Sequence, residues 1–381
     1  MSSSYDVVII GAGPAGSSAG YHLAKAGVKT LILDKAEFPR YKSCGGGIIT
    51  RSDKFIPYDY SSVVEQECNT ALLADLTVKK EFFVKRDKPV VRMVMRDNFD
   101  EFAIQKAIEA GCHFNDNITV RDINYKSDPC VELNNEKIFC DKIIGADGAF
   151  GITTRVSGHF KHLTAIPAME IELNVDHATF RRFNNIVRFD FGLVENGYGW
   201  VFPKKEHLSI GVLSFSTGKY NLNQLLQKYL HAININTKDY QRHGFKIPIL
   251  PTTKNFAYSN LLLTGDAAGF ADPITLEGIG TSILSGKLAA DAIIKSSGDS
   301  SKTGARYNRL LKKELLHELK YACFLSNVIY NHPAIRKFLF KNMGALLCEK
   351  MTDVITGDKT YFEYLSKPSN YIRLVTKLIS K

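Results

Sequence analysis

Six residues near the start of the chain, Gly11-Ala12-Gly13-Pro14-Ala15-Gly16, restrict the fold more than any other feature. They follow a short β-branched run, Tyr5 to Ile10, and they open a segment of helical character, Ala15 to Ala26, that Gly27 stops. A second strand-like run, Lys29 to Asp34, comes next, so the chain begins with a β-α-β unit. In such a unit Gly11 permits the tight turn, Gly13 lets a pyrophosphate approach the backbone, and Gly16 lets helix and strand pack closely. The helix N-terminus offers free N–H groups and a partial positive charge to phosphate, and Asp34 stands where a ribose hydroxyl would need an acceptor. A dinucleotide-binding α/β domain is the consequence.

Beyond this unit the pattern changes. Lys79 to Val84 and Val90 to Met95 read as paired strands, Phe99 to Ala110 as an amphipathic helix closed by Gly111, and Ile118 to Tyr125 with Cys130 to Ile144 as a strand-rich meander. A strand-rich block from Ile166 to Val212 precedes a helix near Leu222 to Ala232. Leu261 to Leu263 reads as a buried strand running into Gly265-Asp266, Glu277 to Ile294 as one long helix, and Tyr307 onward as mostly helical. The expected fold class is α/β, a Rossmann-like dinucleotide-binding domain with an interleaved antiparallel-sheet substrate domain and a helical C-terminal region. Segments 1–75, 96–160 and 256–300 are assigned to the first, 76–95 and 161–255 to the second, and 301–381 to the third. A chain of 381 residues has room for these cores.

Charge and cysteine usage remove other classes. Residues 302–381 carry 15 Lys and Arg against 6 Asp and Glu, nearly all of the net charge of +10. Such a region attracts an anionic membrane, an anionic substrate head group or an acidic protein partner, or is a solvated helical surface. No nucleic-acid reader motif accompanies it, so no nucleic-acid partner is expected. Seven cysteines with no C-x-x-C pair, and ten histidines without metal spacing, predict no disulfide framework, iron-sulfur cluster or metal site. Without a basic segment before the first apolar run or any long uninterrupted apolar stretch, a cytoplasmic location is expected, with contact at the inner membrane face only at a surface.

A second nucleotide signal, Thr264-Gly265-Asp266-Ala267-Ala268-Gly269, follows a strand and precedes Gly278, Gly280 and the long helix. Together with the first it resembles the para-hydroxybenzoate hydroxylase superfamily of flavoproteins, in which the first motif holds the adenosine half of FAD and the second its ribityl chain. Arg96-Asp97-Asn98-Phe99-Asp100 matches that superfamily's R-x-x-F-D helix entrance. Gly145-Ala146-Asp147-Gly148 with Thr154-Arg155 is similar to its D-G motif, although Thr154 departs from the usual serine. Two further segments, Lys42-Ser43-Cys44-Gly45-Gly46 and Tyr198-Gly199-Trp200-Val201-Phe202-Pro203-Lys204, resemble the K-x-C-G-G and Y-x-W-x-F-P-K patterns of the geranylgeranyl reductase family.

Several of these residues also carry a physical reading of their own. The glycines after Cys44 allow backbone to approach a planar ring, and Tyr198, Trp200 and Phe202 share one face of a strand, because the side-chain period is two. Such a face suits a long apolar chain or an ordinary sheet core. The resemblance implies FAD held by Gly11, Gly13, Ala15, Gly16, Asp34 and Lys35, by Arg40, Cys44, Gly45 and Arg96, and by Asp147, Gly265, Asp266, Gly278 and Gly280. It places Cys44, Gly45 and Gly46 at the reacting ring and Tyr198, Trp200, Phe202 and Pro203 around the substrate.

The activity implied is hydrogenation of carbon-carbon double bonds of a polyprenyl (geranylgeranyl-type) substrate, with hydride from reduced flavin and a proton from an unidentified donor. A flavin monooxygenase or halogenase of the same superfamily is the alternative. The halogenase pattern W-x-W-x-I-P departs from this sequence at Tyr198 and Phe202. One dinucleotide site leaves the reductant as transient NAD(P)H or a small acidic electron-carrier protein.

Overall fold

The fold is taken from a computed structural model that describes residues 4–216, 221–237, 240–249, 255–296 and 299–366. Among these residues the strands form three sheets. The first is built around Ser4–Ile10, which pairs in parallel with Thr30–Leu33 on one side and Lys137–Gly145 on the other. His113–Asn115 extends it beyond Thr30–Leu33, and Leu261–Leu263 beyond Lys137–Gly145, both in parallel. Val7 to Ile10, Leu31 to Leu33, Ile143, Ile144 and Leu261 to Leu263 are all buried, the continuous apolar runs of a parallel sheet covered on both faces. The helix Pro14–Lys25 packs against the long helix Ile279–Ile294, so two segments far apart in sequence close on one another beside the first glycine turn.

The second sheet has seven strands in the order Arg242–Ile249, Thr164–Asn174, His207–Ser214, Gly197–Pro203, Ile186–Phe191, Thr70–Asp75 and Lys80–Lys85. Ile186–Phe191 and Thr70–Asp75 are parallel neighbours, and the other pairs are antiparallel. The third sheet is small: Gly47–Ile49, Val91–Val94 and Val64–Cys68.

Several expectations are corrected here. Lys80–Lys85 and Val91–Val94 do not pair with each other. The first closes a hairpin with Thr70–Asp75 and the second joins the small sheet. Thr70–Asp75, expected in the dinucleotide segment 1–75, belongs to the antiparallel-rich sheet, because its buried residues Ala71 to Asp75 complete that sheet beside Ile186–Phe191. The helix expected from Phe99 begins at Arg96, whose guanidinium donates to Asp100 one turn on, at 2.9 and 2.8 Å. Leu222–Ala232 and Leu261–Leu263 have the predicted bounds.

The C-terminal helices Thr303–Leu311, His317–Asn331 and Pro333–Thr356 cap the molecule. Pro333–Thr356 packs on Thr70–Asp75 and Lys80–Lys85, with Arg336 paired to buried Asp75 at 3.4 Å. Tyr330 and Phe340 are buried against Phe191 and Tyr198. They therefore line a core and not an outer face, unlike Phe324, Ile335 and Phe338, which are exposed. Residues 367–381 of the basic region, and 217–220, 238–239, 250–254 and 297–298, lie outside the described residues.

Candidate functional site

A cavity of about 660 Å³ runs from the first glycine turn to the aromatic face of the second sheet. At its first end Gly11 has φ +102°, and a Cβ there would lie 2.3 Å from the Ala146 carbonyl oxygen, so only glycine fits the turn. Ala12 N–H donates to Asp34 Oδ2 at 2.7 Å, which ties the turn to the end of the second strand. Gly13 faces open space, its nearest neighbour being Arg40 Nη2 at 3.8 Å from a hypothetical Cβ. The helix that follows opens with Pro14 at its first position and has no acidic side chain in its first turn. Bare backbone, an unblocked helix N-terminus and a carboxylate form a cradle that fits the diphosphate and ribose of a dinucleotide.

Arg96 and Arg40 come next along the lining, and both reach Asp100, Arg40 Nη1 at 3.0 Å and Arg96 Nη2 at 2.8 Å. Asp147 lines the same stretch. Its carboxylate accepts Thr153 N–H at 3.0 Å and the Thr153 hydroxyl, and burial pushes its pKa up from the usual range. Lys35, Asp266 and Gly278 complete this part of the wall.

The Cys44 to Gly47 loop lines the cavity and is held from two directions. Cys44 N–H donates to Glu170 Oε1 at 2.6 Å, and Lys204 Nζ donates to the carbonyls of Gly45 at 2.7 Å and Val94 at 2.9 Å. Gly46 has φ +67°, and a Cβ there would collide with Val94 O at 2.1 Å and Lys204 Nζ at 2.4 Å. The loop thus presents backbone to the cavity, with the Cys44 thiol accepting from Gly46 N–H at 3.4 Å.

Opposite the loop stand Tyr198, Trp200 and Phe202, which alternate along Gly197–Pro203 and share the cavity-facing side as their spacing predicts. Tyr198 hydroxyl donates to Thr275 O at 2.6 Å, whereas Trp200 Nε1 is buried without a partner. A Cβ on Gly45 would lie 2.9 Å from the Phe202 ring and 3.2 Å from Trp200 Nε1, so loop and aromatic face leave little room between them at that point.

Four expected site residues do not line the cavity. Pro203 follows Phe202 by one position and so projects to the opposite side of the strand. Gly16 serves packing, since a Cβ there would meet Gly11 O at 1.8 Å, and Gly280 is pressed against Ser52. Gly265, at φ +54°, turns the strand Leu261–Leu263 into the short helix carrying Asp266.

Three functional candidates escaped sequence reasoning. Glu170 is fully buried, and burial, followed by the nearby Glu172 carboxylate, pushes its pKa up to about 7. Lys204 is also fully buried, and desolvation pushes its pKa down. Glu277 lines the cavity from the loop before Ile279–Ile294. Lys204 belongs to the quoted Tyr198 to Lys204 pattern, which was a signal; the two glutamates carried none, because burial of a carboxylate is decided by distant strands. Among the described residues no group of three His, Cys, Asp or Glu side chains could hold a metal ion.

Comparison with known proteins bears on this cradle directly. Residues 4–54 match a family model described as an FAD binding domain. An uncharacterized protein of Methanosarcina barkeri is 33% identical over 331 residues, covering 86% of this chain and 84% of its own length. Digeranylgeranylglycerophospholipid reductase 3 of Methanosphaera stadtmanae is 28% identical, covering 86% of this chain and 87% of its own. Among solved structures, a geranylgeranyl bacteriochlorophyll reductase-like protein from Thermoplasma acidophilum superposes with a TM-score of 0.74 at 22% identity, over 93% of this chain and 92% of the other. A flavin-dependent brominase superposes with a TM-score of 0.71 at 19% identity, over 93% and 94%. At those identities the two structures show the fold alone, and the family match over residues 4–54 makes FAD the cofactor of the chain.

Proposed function

Because the chain belongs to the geranylgeranyl reductase family of FAD-dependent oxidoreductases, we propose that it hydrogenates carbon-carbon double bonds of a polyprenyl substrate lying against Tyr198, Trp200 and Phe202. The observation that carries this reading is the continuity of one cavity from the dinucleotide cradle at Gly11 to that aromatic face. Bound FAD, once reduced, supplies a hydride. The chain's own residues bind and orient. Gly11, Gly13, Ala15 and the helix N-terminus receive phosphates, Asp34 a ribose, Lys35 and Arg40 the outer edge, and Asp266 with Gly278 the sugar-alcohol chain. Cys44, Gly45 and Gly46 offer close backbone contact to the reacting ring.

An isolated alkene gives a side chain no charge to hold, so shape and apolar burial must fix it. The aromatic face supplies both, and it excludes water from the reacting carbons. A relative that is a digeranylgeranylglycerophospholipid reductase supports a lipid bearing prenyl chains as the substrate class. A visiting NAD(P)H or a small acidic carrier protein is the reductant in this reading. Basic helices with exposed Phe324, Ile335 and Phe338 support peripheral contact with an anionic membrane where such a lipid resides. No helix among the described residues is long and apolar enough to cross a membrane.

Hydroxylation and halogenation are outcomes of the same test. Mass spectrometry of prenylated lipids from cells with and without the protein is expected to show shifts in steps of two hydrogens. Products that gain oxygen or halogen, or no change, would overturn the reading.

A further inference from the structure

Glu277 is the one acid on the cavity wall, among those described, whose carboxyl has a buried oxygen with no partner: Oε1 accepts Gly280 N–H at 2.5 Å, and Oε2 is unpaired. The residue is 9% exposed. Its loop is fixed from several sides. Leu276 N–H donates to Asp272 O and Asp272 N–H to Glu277 O, each at 2.8 Å. Tyr198 hydroxyl holds Thr275 O at 2.6 Å, and Tyr330 hydroxyl holds Ile274 O at 2.5 Å. Leu276, immediately before the acid, has φ +55°, the left-handed region that a bulky side chain rarely occupies. Strain of this kind persists only where the surroundings over-determine it, and here they fix the segment that carries Glu277 into the cavity wall.

The charges that face Glu277 do not neutralise it. Arg51, from the turn Thr50–Phe55, is engaged by Asp272 at 3.0 Å, and Asp272 also accepts from Tyr361 hydroxyl at 3.2 Å. Asp266 approaches from the other side, its Oδ1 lying 3.4 Å from a hypothetical Cβ on Gly278. Burial is the main effect on the Glu277 carboxyl. It outweighs the Gly280 N–H and Arg51, Asp272 adds to it, and together they push the pKa up to about 7. A large fraction of the group keeps its proton at neutral pH.

The chemistry of the substrate class needs such a group. An unactivated trisubstituted alkene is electron-rich: a proton added to its less substituted carbon leaves a tertiary cation that hydride can quench, whereas hydride first would leave an unstabilised carbanion. Resting on the reading of the preceding section, we propose that Glu277 is the proton donor of the alkene reduction. The Oε2–H bond breaks as a C–H bond forms at one alkene carbon, and the hydride pair from the reduced cofactor closes the other carbon. Glu277 is left as a carboxylate and regains its proton from solvent, while the alkene is reduced by two electrons and the cofactor oxidised by two. The faces of Tyr198 and Trp200 stabilise the transient positive charge.

Glu277→Gln keeps the acceptor for Gly280 N–H and removes the proton. In FAD-loaded, chemically reduced enzyme mixed with a prenyl lipid, the single-turnover rate is expected to fall by roughly 100-fold or more, with FAD content unchanged and a melting temperature no lower than that of wild type. Independently of activity, infrared difference spectra of oxidised, FAD-loaded protein between about pH 5 and about pH 9 should contain a protonated-carboxyl band that E277Q lacks and Glu170→Gln retains. An E277Q rate within about threefold of wild type, or identical infrared titrations, overturns the proposal. Should E277Q fail to fold, Glu277→Asp carries the test: a drop of at least about tenfold supports the assignment, and a rate within about threefold overturns it. A wild type that reduces no prenyl alkene overturns the functional reading instead, whatever the infrared spectra give.

Discussion

Replacing Glu170 by glutamine isolates what holds the Cys44 loop. Glu170 lies on Thr164–Asn174, fully buried, and accepts from Cys44 N–H at 2.6 Å and Tyr41 hydroxyl at 3.3 Å. Burial first, then Glu172, push its pKa up to about 7 against the opposing pull of Cys44 N–H and Lys204. An ordinary Glu in an unfolded chain titrates near about 4.3. Between about 4.3 and about 7 the native state therefore holds a proton that the unfolded state has lost, so stability falls as pH rises through that window. The contribution is complete below about pH 4.3 and lost above about pH 7, and at ~1.36 kcal/mol per pKa unit its ceiling is roughly 3–4 kcal/mol.

Glu170→Gln keeps an acceptor for Cys44 N–H but has no proton to lose. Urea unfolding of FAD-loaded protein should then show the variant gaining on wild type by up to roughly 3 kcal/mol between about pH 4.5 and about pH 8.5. Glu170→Leu removes the acceptor as well and should cost about 1–3 kcal/mol relative to E170Q at every pH, from the orphaned Cys44 N–H. Stability curves of wild type and E170Q that run parallel across this range would refute the assignment of a raised carboxyl pKa to Glu170.

Three further outcomes follow from the same geometry. Gly13→Val should yield a folded but colourless protein, because a side chain there meets only Arg40 Nη2 at 3.8 Å yet fills the place where diphosphate must approach; absorbance of the purified protein checks it. Trp200→Ala should lower turnover on a prenyl lipid and cost roughly 3–5 kcal/mol of stability while leaving the visible flavin spectrum nearly unchanged, measured by steady-state assay and urea unfolding. Sedimentation with anionic but not neutral vesicles, lost at high salt, is expected from the basic C-terminal region, and equal recovery with both lipids would leave its charge without that role.

The dinucleotide cradle was legible because its determinants are local. The turn at Gly11, the helix after Pro14 and the carboxylate of Asp34 all lie within one β-α-β unit, and their spacing is set by backbone geometry. The Tyr198, Trp200 and Phe202 face was legible for a similar reason, since a period of two fixes which side chains share a side; the same rule excludes Pro203. What stayed hidden depends on long-range pairing. Thr70–Asp75 lies parallel to Ile186–Phe191 across more than a hundred residues of chain, and nothing local signals that register. Glu170 and Glu277 look like ordinary polar residues until the strands and helices that bury them are in place. The Lys79 to Met95 stretch misled because two adjacent strand-like runs suggest a hairpin, whereas each found its partner elsewhere.

In the proposed reaction one cavity brings reduced FAD and an unactivated prenyl alkene together. Mixing FAD-loaded, anaerobically reduced protein with a polyprenyl lipid, in excess over lipid and without any other reductant, tests it in a single turnover. The oxidised flavin spectrum is expected to reappear at the rate at which lipid heavier by two hydrogens accumulates, one equivalent for each flavin oxidised. Flavin that stays reduced while the lipid mass is unchanged, or that reoxidises only on admission of oxygen with oxygen added to the lipid, would contradict it.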